Sequence, residues 1–279
     1  MQLTHEQVLS ILPDRQADGH KGNYGRILLL CGSQGYTGAA ALAAMGALRC
    51  GAGLVFLGVP EAIYPIEAVK LTEPIVFPLP EENGKLSVDA VIPVLQKMRG
   101  MDAVLIGPGL GQSAGTMAVL NAILQHFNGP VILDADAINL LAADVESLRA
   151  RSAVTILTPH EGEFRRLGIA LDDERVTGSQ RLAKELGCIV IRKGHHSVIT
   201  DGENTYINPT GNPGMAVGGS GDVLAGMIAG LLGQGIEPLL AAACAAWLHG
   251  AAGDRSAEKL GQYAMLPSDL LQELPYLLK

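Results

Sequence analysis

The stretch NPGMAVGGSGDVLAG, residues 212–226, places one aspartate, Asp222, directly behind the run GGSG of residues 218–221. Small and apolar residues follow, so the pattern predicts a helix that starts at this glycine-rich turn. Bare amides at a helix start attract anions. A carboxylate beside them can accept a proton from a hydroxyl that attacks a phosphoryl group, while the amides stabilise the transferring oxygens. The alternative is an ordinary first-turn acid.

Outward from this turn, the chain alternates apolar strand-like runs with helical segments. The runs are GRILLLCG, GLVFLGV, DAVLIG, PVILDADA, VTILTP and CIVIRKG. Continuous apolar strands between helices indicate a mostly parallel sheet that is covered on both faces. The segment HSVITDGENTYINP alternates around Asp201-Gly202 and predicts a hairpin that adds antiparallel strands at one edge. Without a linker or an internal repeat, residues 1–279 are expected to form one domain.

Composition narrows the possible partners. The 279 residues carry a net charge of −8, which argues against a nucleic-acid partner because a phosphate backbone is held by surplus Lys and Arg. A small anionic ligand remains possible.

The most apolar region, Val223 to Ala252, is interrupted by Gln234, Glu237 and Pro238, so each half is too short to span a bilayer. We therefore expect a cytoplasmic protein without a membrane partner. The four cysteines form no CxxC pair, which disfavours a zinc site or a disulfide framework.

The remaining notable loops follow predicted strands, where ligands bind in parallel sheets. The glycine-rich turns at residues 32–40 and 107–111 would let a planar ligand approach the backbone, although tight turns need glycine in any case. Asp134 and Asp136 could hold Mg²⁺ through water, and Asp136 could instead cap the helix after it.

Two further loops carry histidines. In TPHEGE, His160 precedes two acids at a helix start, and we favour a ligand role for it over an ordinary first turn. In KGHHS, Lys193 could meet phosphate or ribose. His195 and His196 are expected to point to opposite faces of an extended segment, so that both do not easily ligate one ion.

Taken together, these motifs resemble one branch of the ribokinase-like fold. GGSGD before a late helix, in an α/β chain without a Walker A loop, is typical of that fold. NPGMAVGGSGDVLAG is similar to TPGMATGGTGDVLTG, TPHEGEF to TPHxGEF, and KGHHS to KGxxS/T, while GPGLG and DADAINLL match as well. These patterns are those of the ADP/ATP-dependent NAD(P)H-hydrate dehydratases, which repair hydrated nicotinamide cofactors. The similarity runs from about His20 to Ala252. It implies a ribokinase-like three-layer sandwich with a mostly parallel central sheet and helices on both faces.

The resemblance also implies a role for each matching residue. Asp222 would be the catalytic base that deprotonates the ring hydroxyl, after which ADP (or ATP) phosphorylates it and phosphate leaves. Mg²⁺ would bridge the phosphates, its protein ligands being unknown, and the family implies a homotetramer. The substrate contacts would be Ala40, Gly109, His160 and Asp222. The nucleotide contacts would be Lys193, Gly194, His195, His196, Ser197 and Gly221, and the predicted anion hole consists of the amides of Gly219, Ser220 and Gly221.

Two alternatives belong to other functional classes. The first is a kinase of the same fold that phosphorylates a vitamin-precursor alcohol. In those kinases the TPHEGE loop usually reads TPNxxE, and here His160 replaces the Asn while Glu163 remains, which favours the dehydratase. The second is a non-catalytic nucleotide sensor. The intact Asp222 argues against it, and a turnover assay separates the two.

Overall fold

The computed structural model describes residues 1–168 and 174–279. Within them lie strands β1 (Arg26–Leu30), β2 (Leu54–Pro60), β3 (Ile75–Leu79), β4 (Glu81–Glu82), β5 (Lys85–Leu86), β6 (Ala103–Ile106), β7 (Val131–Leu133), β8 (Thr155–Leu157), β9 (Ile189–Arg192), β10 (Val198–Thr200) and β11 (Thr205–Ile207). Nine of these strands form the central sheet, in the order β11-β10-β9-β8-β7-β6-β1-β2-β3. Pairing is parallel except at β10, which runs antiparallel to both of its neighbours. The mostly parallel sheet and the edge hairpin are as predicted.

Helices cover both faces of this sheet. They are α1 (His5–Ile11), α2 (Thr37–Arg49), α3 (Tyr64–Lys70), α4 (Val91–Lys97), α5 (Ala114–His126), α6 (Asp136–Leu141), α7 (Glu146–Arg149), α8 (Glu161–Arg166), α9 (Arg175–Leu186), α10 (Ser220–Gly233), α11 (Pro238–Leu260) and α12 (Pro267–Leu277). One core packs α2, α10, α11 and α12 on one face, and a second core packs α4, α5, α6 and α9 on the other. This is the three-layer sandwich that the sequence predicted. None of the described helices has both the length and the apolar character that crossing a bilayer requires.

Helices α2 and α10 approach each other unusually closely. A Cβ atom on Gly226 would lie 2.0 Å from the carbonyl oxygen of Ala43, and one on Gly230 would lie 2.4 Å from that of Ala47. Only glycine allows this approach. The two contacts advance along both helices in the same direction, so the helices are parallel. One turn towards their starts, the same register places Asp222 beside the first residues of α2.

Candidate active site

A cavity of about 780 Å³ lies where β7, β8 and β9 end and α10 begins. Its lining includes Asp134, His160, Lys193 to Ser197 and Gly218 to Asp222. The structure therefore brings together the predicted nucleotide loop, the predicted anion hole, His160 and Asp222. Ala40 and Gly109 are not among the residues that line it.

The start of α10 leaves backbone donors free. Gly219 has a φ of 102°, in the left-handed region that favours glycine, and no side chain caps the helix. Within the described residues, the N–H groups of Gly219, Gly221 and Asp222 have no hydrogen-bond acceptor. The N–H of Ser220 donates to the carbonyl of Val217 at 3.3 Å, so this member of the predicted anion hole is already engaged. An anion here would be received chiefly by the other three amides.

The carboxyl group of Asp222 has a pKa close to neutral pH. Burial and then the charge of Asp134 raise its pKa, the Lys193 ammonium lowers it, and together they bring the pKa to about 7. A general base is most effective when its pKa lies near the working pH. Burial beside an anion-binding turn therefore gives Asp222 the ionisation that base catalysis needs.

The carboxylate of Asp134 is already paired with a cation of the protein. Its Oδ1 lies 2.7 Å from Nζ of Lys193, and Thr158 Oγ1 donates to the same oxygen at 2.5 Å. Asp136 is occupied too, because its Oδ2 accepts from the N–H of Gly111 at 2.8 Å. Neither carboxylate is free as the magnesium site considered from the sequence. Asp136 also does not cap α6 with its side chain, and it instead ties that helix to the GPGLG loop.

The start of α8 is closed by its own residues. Nδ1 of His160 accepts from the N–H groups of Gly162 at 2.9 Å and Glu163 at 3.3 Å. In return, Oε2 of Glu163 accepts from the N–H of His160 at 2.9 Å, and Oε1 lies 3.2 Å from Nε2 of the ring. This is a reciprocal capping box with histidine at the cap. The imidazole is half-exposed at the cavity, so a substrate contact for His160 stays a prediction.

The KGHHS loop is a turn rather than an extended segment. His196 has a φ of 52°, and the ring centroids of His195 and His196 are 3.9 Å apart. The expectation that these two side chains point to opposite faces is therefore wrong, because the left-handed turn brings both rings to one side. The turn is closed by Ser197, whose Oγ accepts from the N–H of Gly194 at 3.2 Å. No cluster of three potential metal ligands occurs among residues 1–168 and 174–279.

Ala40 and Gly109 lie near the first turn of α2, where Ala40 is fully buried. A Cβ atom on Gly109 would lie 2.8 Å from that of Ala39, so the GPGLG loop rests against the first turn of α2. Ser33 Oγ fixes this loop by donating to the carbonyl of Gly109 at 2.7 Å. The register of α2 and α10 places Asp222 beside the same turn.

His249 is a residue of the site that motif analysis missed. It lies on α11, lines the cavity, and has Nε2 2.9 Å from the carbonyl oxygen of Ser220. Burial lowers its pKa to about 4, so the neutral ring donates from Nε2 and supports the first turn of α10. The only signal in the sequence was one polar residue within the Ala-rich segment Leu239 to Ala252, which by itself does not indicate a partner.

Comparison with known proteins identifies relatives of one kind. The family model described as NAD(P)H-hydrate dehydratase matches residues 27–276. The bifunctional NAD(P)H-hydrate repair enzyme Nnr of Moorella thermoacetica is 46% identical over 284 residues, covering 99% of this chain and 53% of that protein. The chain thus spans about half the length of this relative. The ADP-dependent (S)-NAD(P)H-hydrate dehydratase of Lactiplantibacillus plantarum is 35% identical over 98% of this chain and 95% of its own length.

Solved structures agree with this. The ADP/ATP-dependent NAD(P)H-hydrate dehydratase of Bacillus subtilis, co-crystallised with ATP/Mg²⁺, superposes with a TM-score of 0.84 at 32% identity. The match covers 98% of this chain and 96% of that one. Other matches are ribokinase-like, including a hydroxyethylthiazole kinase whose 17% identity shows the shared fold alone. The predicted ribokinase-like fold is confirmed.

Proposed function

Because this chain belongs to the NAD(P)H-hydrate dehydratase family, we propose that it dehydrates (S)-NAD(P)H-hydrate to NAD(P)H, with ADP as co-substrate and AMP and phosphate as products. The observation that carries the proposal is the position of Asp222. Its carboxylate stands at the start of α10 beside amides without acceptors among the described residues, on the wall of a cavity large enough for a nucleotide.

The chemistry follows from that position. Asp222 removes the proton from the ring hydroxyl, and the oxygen attacks the terminal phosphoryl group of ADP, so that AMP leaves. The free amides of Gly219 and Gly221 stabilise charge on the transferring oxygens. Phosphate is a better leaving group than hydroxide, so it departs from the ring carbon. A proton then leaves the neighbouring ring carbon, and the double bond of the reduced nicotinamide is restored.

The two ligands meet beside Asp222 in this proposal. The nucleotide fills the cavity at Lys193 to Ser197, with its terminal phosphate at Gly221. The hydrated ring lies beside the first turn of α2 and the GPGLG loop, with Ala40, Gly109 and His160 as its proposed contacts. In-line transfer then requires the hydroxyl oxygen to face the phosphorus atom opposite the leaving oxygen of AMP, with Asp222 beside the hydroxyl as its proton acceptor.

Magnesium fits this site as a companion of the nucleotide. The carboxylate of Asp134 is paired with Lys193, and that of Glu163 binds its own helix start. The chain therefore does not offer a pre-built set of protein ligands within its described residues. Mg²⁺ readily keeps several waters and is held by substrate phosphates, and the Bacillus subtilis relative was co-crystallised with ATP/Mg²⁺. When bound, the ion would neutralise charge on the phosphates, and none of the steps above is assigned to it.

Incubation with hydrated NADH tests the proposal directly. With ADP or ATP present, the reduced-nicotinamide absorbance should return, with one phosphate released for each cofactor restored. Omission of the nucleotide should abolish the recovery. Absence of recovery with either nucleotide, from protein that is folded and binds ADP, would support the sensor interpretation instead.

The kinase alternative predicts a different product. A phosphorylated alcohol that accumulates from a pyrimidine or thiazole precursor would favour it. In the dehydratase the phosphorylated ring collapses as phosphate leaves, so no stable phosphorylated product is expected.

The family resemblance also underlies our proposal of a cytoplasmic homotetramer. Within one chain, α2 and α11 already pack against α10, which is buried from Val223 to Gly233. Its apolar surface therefore needs no second subunit, and the oligomer must use other surfaces. Light scattering at micromolar concentration tests it, since a mass near the 29.1 kDa of one chain would contradict the proposal.

A further inference from the structure

The ammonium group of Lys193 lies between a buried carboxylate and the start of α10. Lys193 follows β9 and Asp134 follows β7, so one strand separates them in the sheet. Nζ lies 2.7 Å from Oδ1 of Asp134, and a Cβ atom built on Gly221 would lie 3.2 Å from Nζ. The cation therefore borders the free amides at which a phosphate would be received.

Asp134 is fixed in place from two directions. It is 1% exposed, and its Oδ1 receives hydrogen bonds from both Lys193 Nζ and Thr158 Oγ1. Charge-assisted hydrogen bonds of this kind are short and directional. Asp134 thus determines where the ammonium stands, although it lies 59 residues earlier in the chain.

The charges around Asp222 are unbalanced. Burial by itself would lower the pKa of Lys193, but the charges of Asp134, Glu163 and Asp222 together raise it. One ammonium group thus interacts with three carboxyl groups. The titratable groups that interact with Asp222 or share its cavity are Cys31 after β1, Asp134 after β7, His160 at the N-cap of α8, Glu163 on α8, Lys193 after β9 and His249 on α11.

Two of these groups have opposite effects on Asp222. The Lys193 ammonium stabilises the carboxylate form, and the Asp134 charge destabilises it. Cys31 is a buried thiol with a raised pKa and the His249 ring has a lowered one, so both are neutral at physiological pH. Lys193 and Asp134 are therefore the charges through which the surrounding residues control the base.

We propose that Asp134 and Lys193 act as a positioning pair: Asp134 holds the Lys193 ammonium at the anion-binding turn, where the ammonium keeps Asp222 in the carboxylate form. This deepens the proposed function and rests on it. Lys193 then does more than bind the nucleotide, and Asp134 has two effects: it fixes the ammonium, and its own charge favours the protonated form of Asp222. Removal of the Lys193 charge should lower the fraction of Asp222 that is ionised at a given pH. Removal of the Asp134 charge should raise that fraction.

The test is the pH profile of kcat/KM for hydrated NADH at saturating ADP. Lys193→Met should move the inflection of Asp222 to higher pH by about one unit, which is about a tenfold loss of rate on the acidic side. Lys193→Arg keeps the charge and should keep the inflection. Asp134→Asn removes the charge but keeps a side-chain oxygen that accepts from Lys193 Nζ, so the ammonium stays in place and the inflection should move to lower pH. In the double variant, Asp134→Asn with Lys193→Met, the two shifts should largely cancel.

Asp136→Asn is the matched control. It removes a carboxylate from the same loop, but one that binds Gly111 and does not line the cavity. Its inflection should coincide with that of the unmodified protein. If Lys193 only bound nucleotide, Lys193→Met would raise the KM for ADP and leave the inflection in place. That result, or an unmoved inflection in Asp134→Asn, would overturn the proposal.

A second readout does not depend on turnover. In unliganded protein, the Tm difference between Asp222→Asn and the unmodified protein should grow with rising pH. It should level off once Asp222 is ionised in the folded state. The pH at which this difference levels off should rise in the Lys193→Met background and fall in the Asp134→Asn background. Failure of these shifts would count against the pair even in an active enzyme. Absence of turnover with the shifts intact would count against the proposed function alone.

Discussion

Helices α8 and α10 both begin at the cavity, but their first turns are used in different ways. At α8, His160 and Glu163 satisfy each other's backbone donors, so the turn is closed. At α10, the cap position is Gly219, which has no side chain to accept a hydrogen bond, and the amides of Gly221 and Asp222 have no acceptor in the part of the chain that the structure describes.

The difference shows how a helix start is used for support or for binding. A capped start has no donors left for a ligand, but it holds its neighbouring side chains in place. An uncapped start gives up that stabilisation and keeps its donors for an anion. We expect α10 to bind the transferred phosphate and α8 to present the side chain of His160.

The largest expected effect comes from Asp222→Asn. The amides of Gly219 and Gly221 remain, so ADP binding measured by calorimetry should persist, while turnover falls by roughly two to four orders of magnitude. The matched control is Asp269→Asn in the first turn of α12, where the carboxylate accepts the N–H of Leu266 at 2.7 Å. That variant should lose about 1 kcal/mol of stability and keep its turnover. Near-normal turnover in Asp222→Asn would show that Asp222 is an ordinary first-turn acid and not the catalytic base.

A matched pair of glycines tests the comparison next. Gly221 and Gly162 both occupy the second position of their helices. In Gly221→Ala the methyl group would lie 3.2 Å from Lys193 Nζ, at the phosphate position, and ADP affinity should fall by about tenfold or more. In Gly162→Ala the methyl group would lie 2.9 Å from Cε1 of His160, so the cap is disturbed instead. This variant should lose about 0.5–2 kcal/mol of stability and bind ADP normally. Equal effects on ADP affinity would remove the distinction between the two helix starts.

His160→Asn separates capping from ligand binding. Asn is among the best N-cap residues, so Tm should change little. If the ring also contacts the hydrated cofactor, kcat/KM should fall by roughly three- to tenfold, the worth of one hydrogen bond. His160→Ala serves as the control that loses both roles, in Tm and in rate. Unchanged kcat/KM in His160→Asn would assign His160 to capping alone.

The smallest expected effect is on stability. The folded-state pKa of Asp222 is raised to about 7 from an ordinary value of 3.8. An acid with a raised pKa destabilises the fold progressively as pH rises from its unfolded-state value to its folded-state value. Asp222→Asn should therefore raise Tm, and more at pH 8 than at pH 5. Turnover should change in the opposite sense, rising through about pH 7 as the base ionises. A Tm gain that is equal at both pH values would contradict the raised pKa.

The central strands could be predicted because each is buried on both faces and reads as a continuous apolar run. The elements that the sequence analysis missed are α4, α7, α12, the edge strand β3 and the two-residue strands β4 and β5. Strand β3 contains Pro78 and pairs on one side only, with β2. Such peripheral elements are stabilised by their neighbours more than by their own pattern, so local periodicity detects them poorly.

Within the site, local sequence was sufficient for the start of α10. Glycine at the cap and an acid in the first turn are properties of adjacent residues, and they directly imply free amides and a nearby carboxylate. The same holds for the turn-forming glycines that let α2 and the GPGLG loop meet. These features need only the backbone geometry of a few consecutive residues.

Only the tertiary structure determined which charged groups of the site lie next to each other. The sequence suggested Asp134 as a magnesium ligand and Lys193 as a phosphate ligand, and the fold pairs the two with each other at 2.7 Å. It also places His249 of α11 against Ser220 and closes α8 with His160. The physical reason is that a pKa depends on burial and on charges a few ångströms away. Those charges come from β7, β9 and α11, which are distant in the chain and become neighbours only when the sheet is assembled.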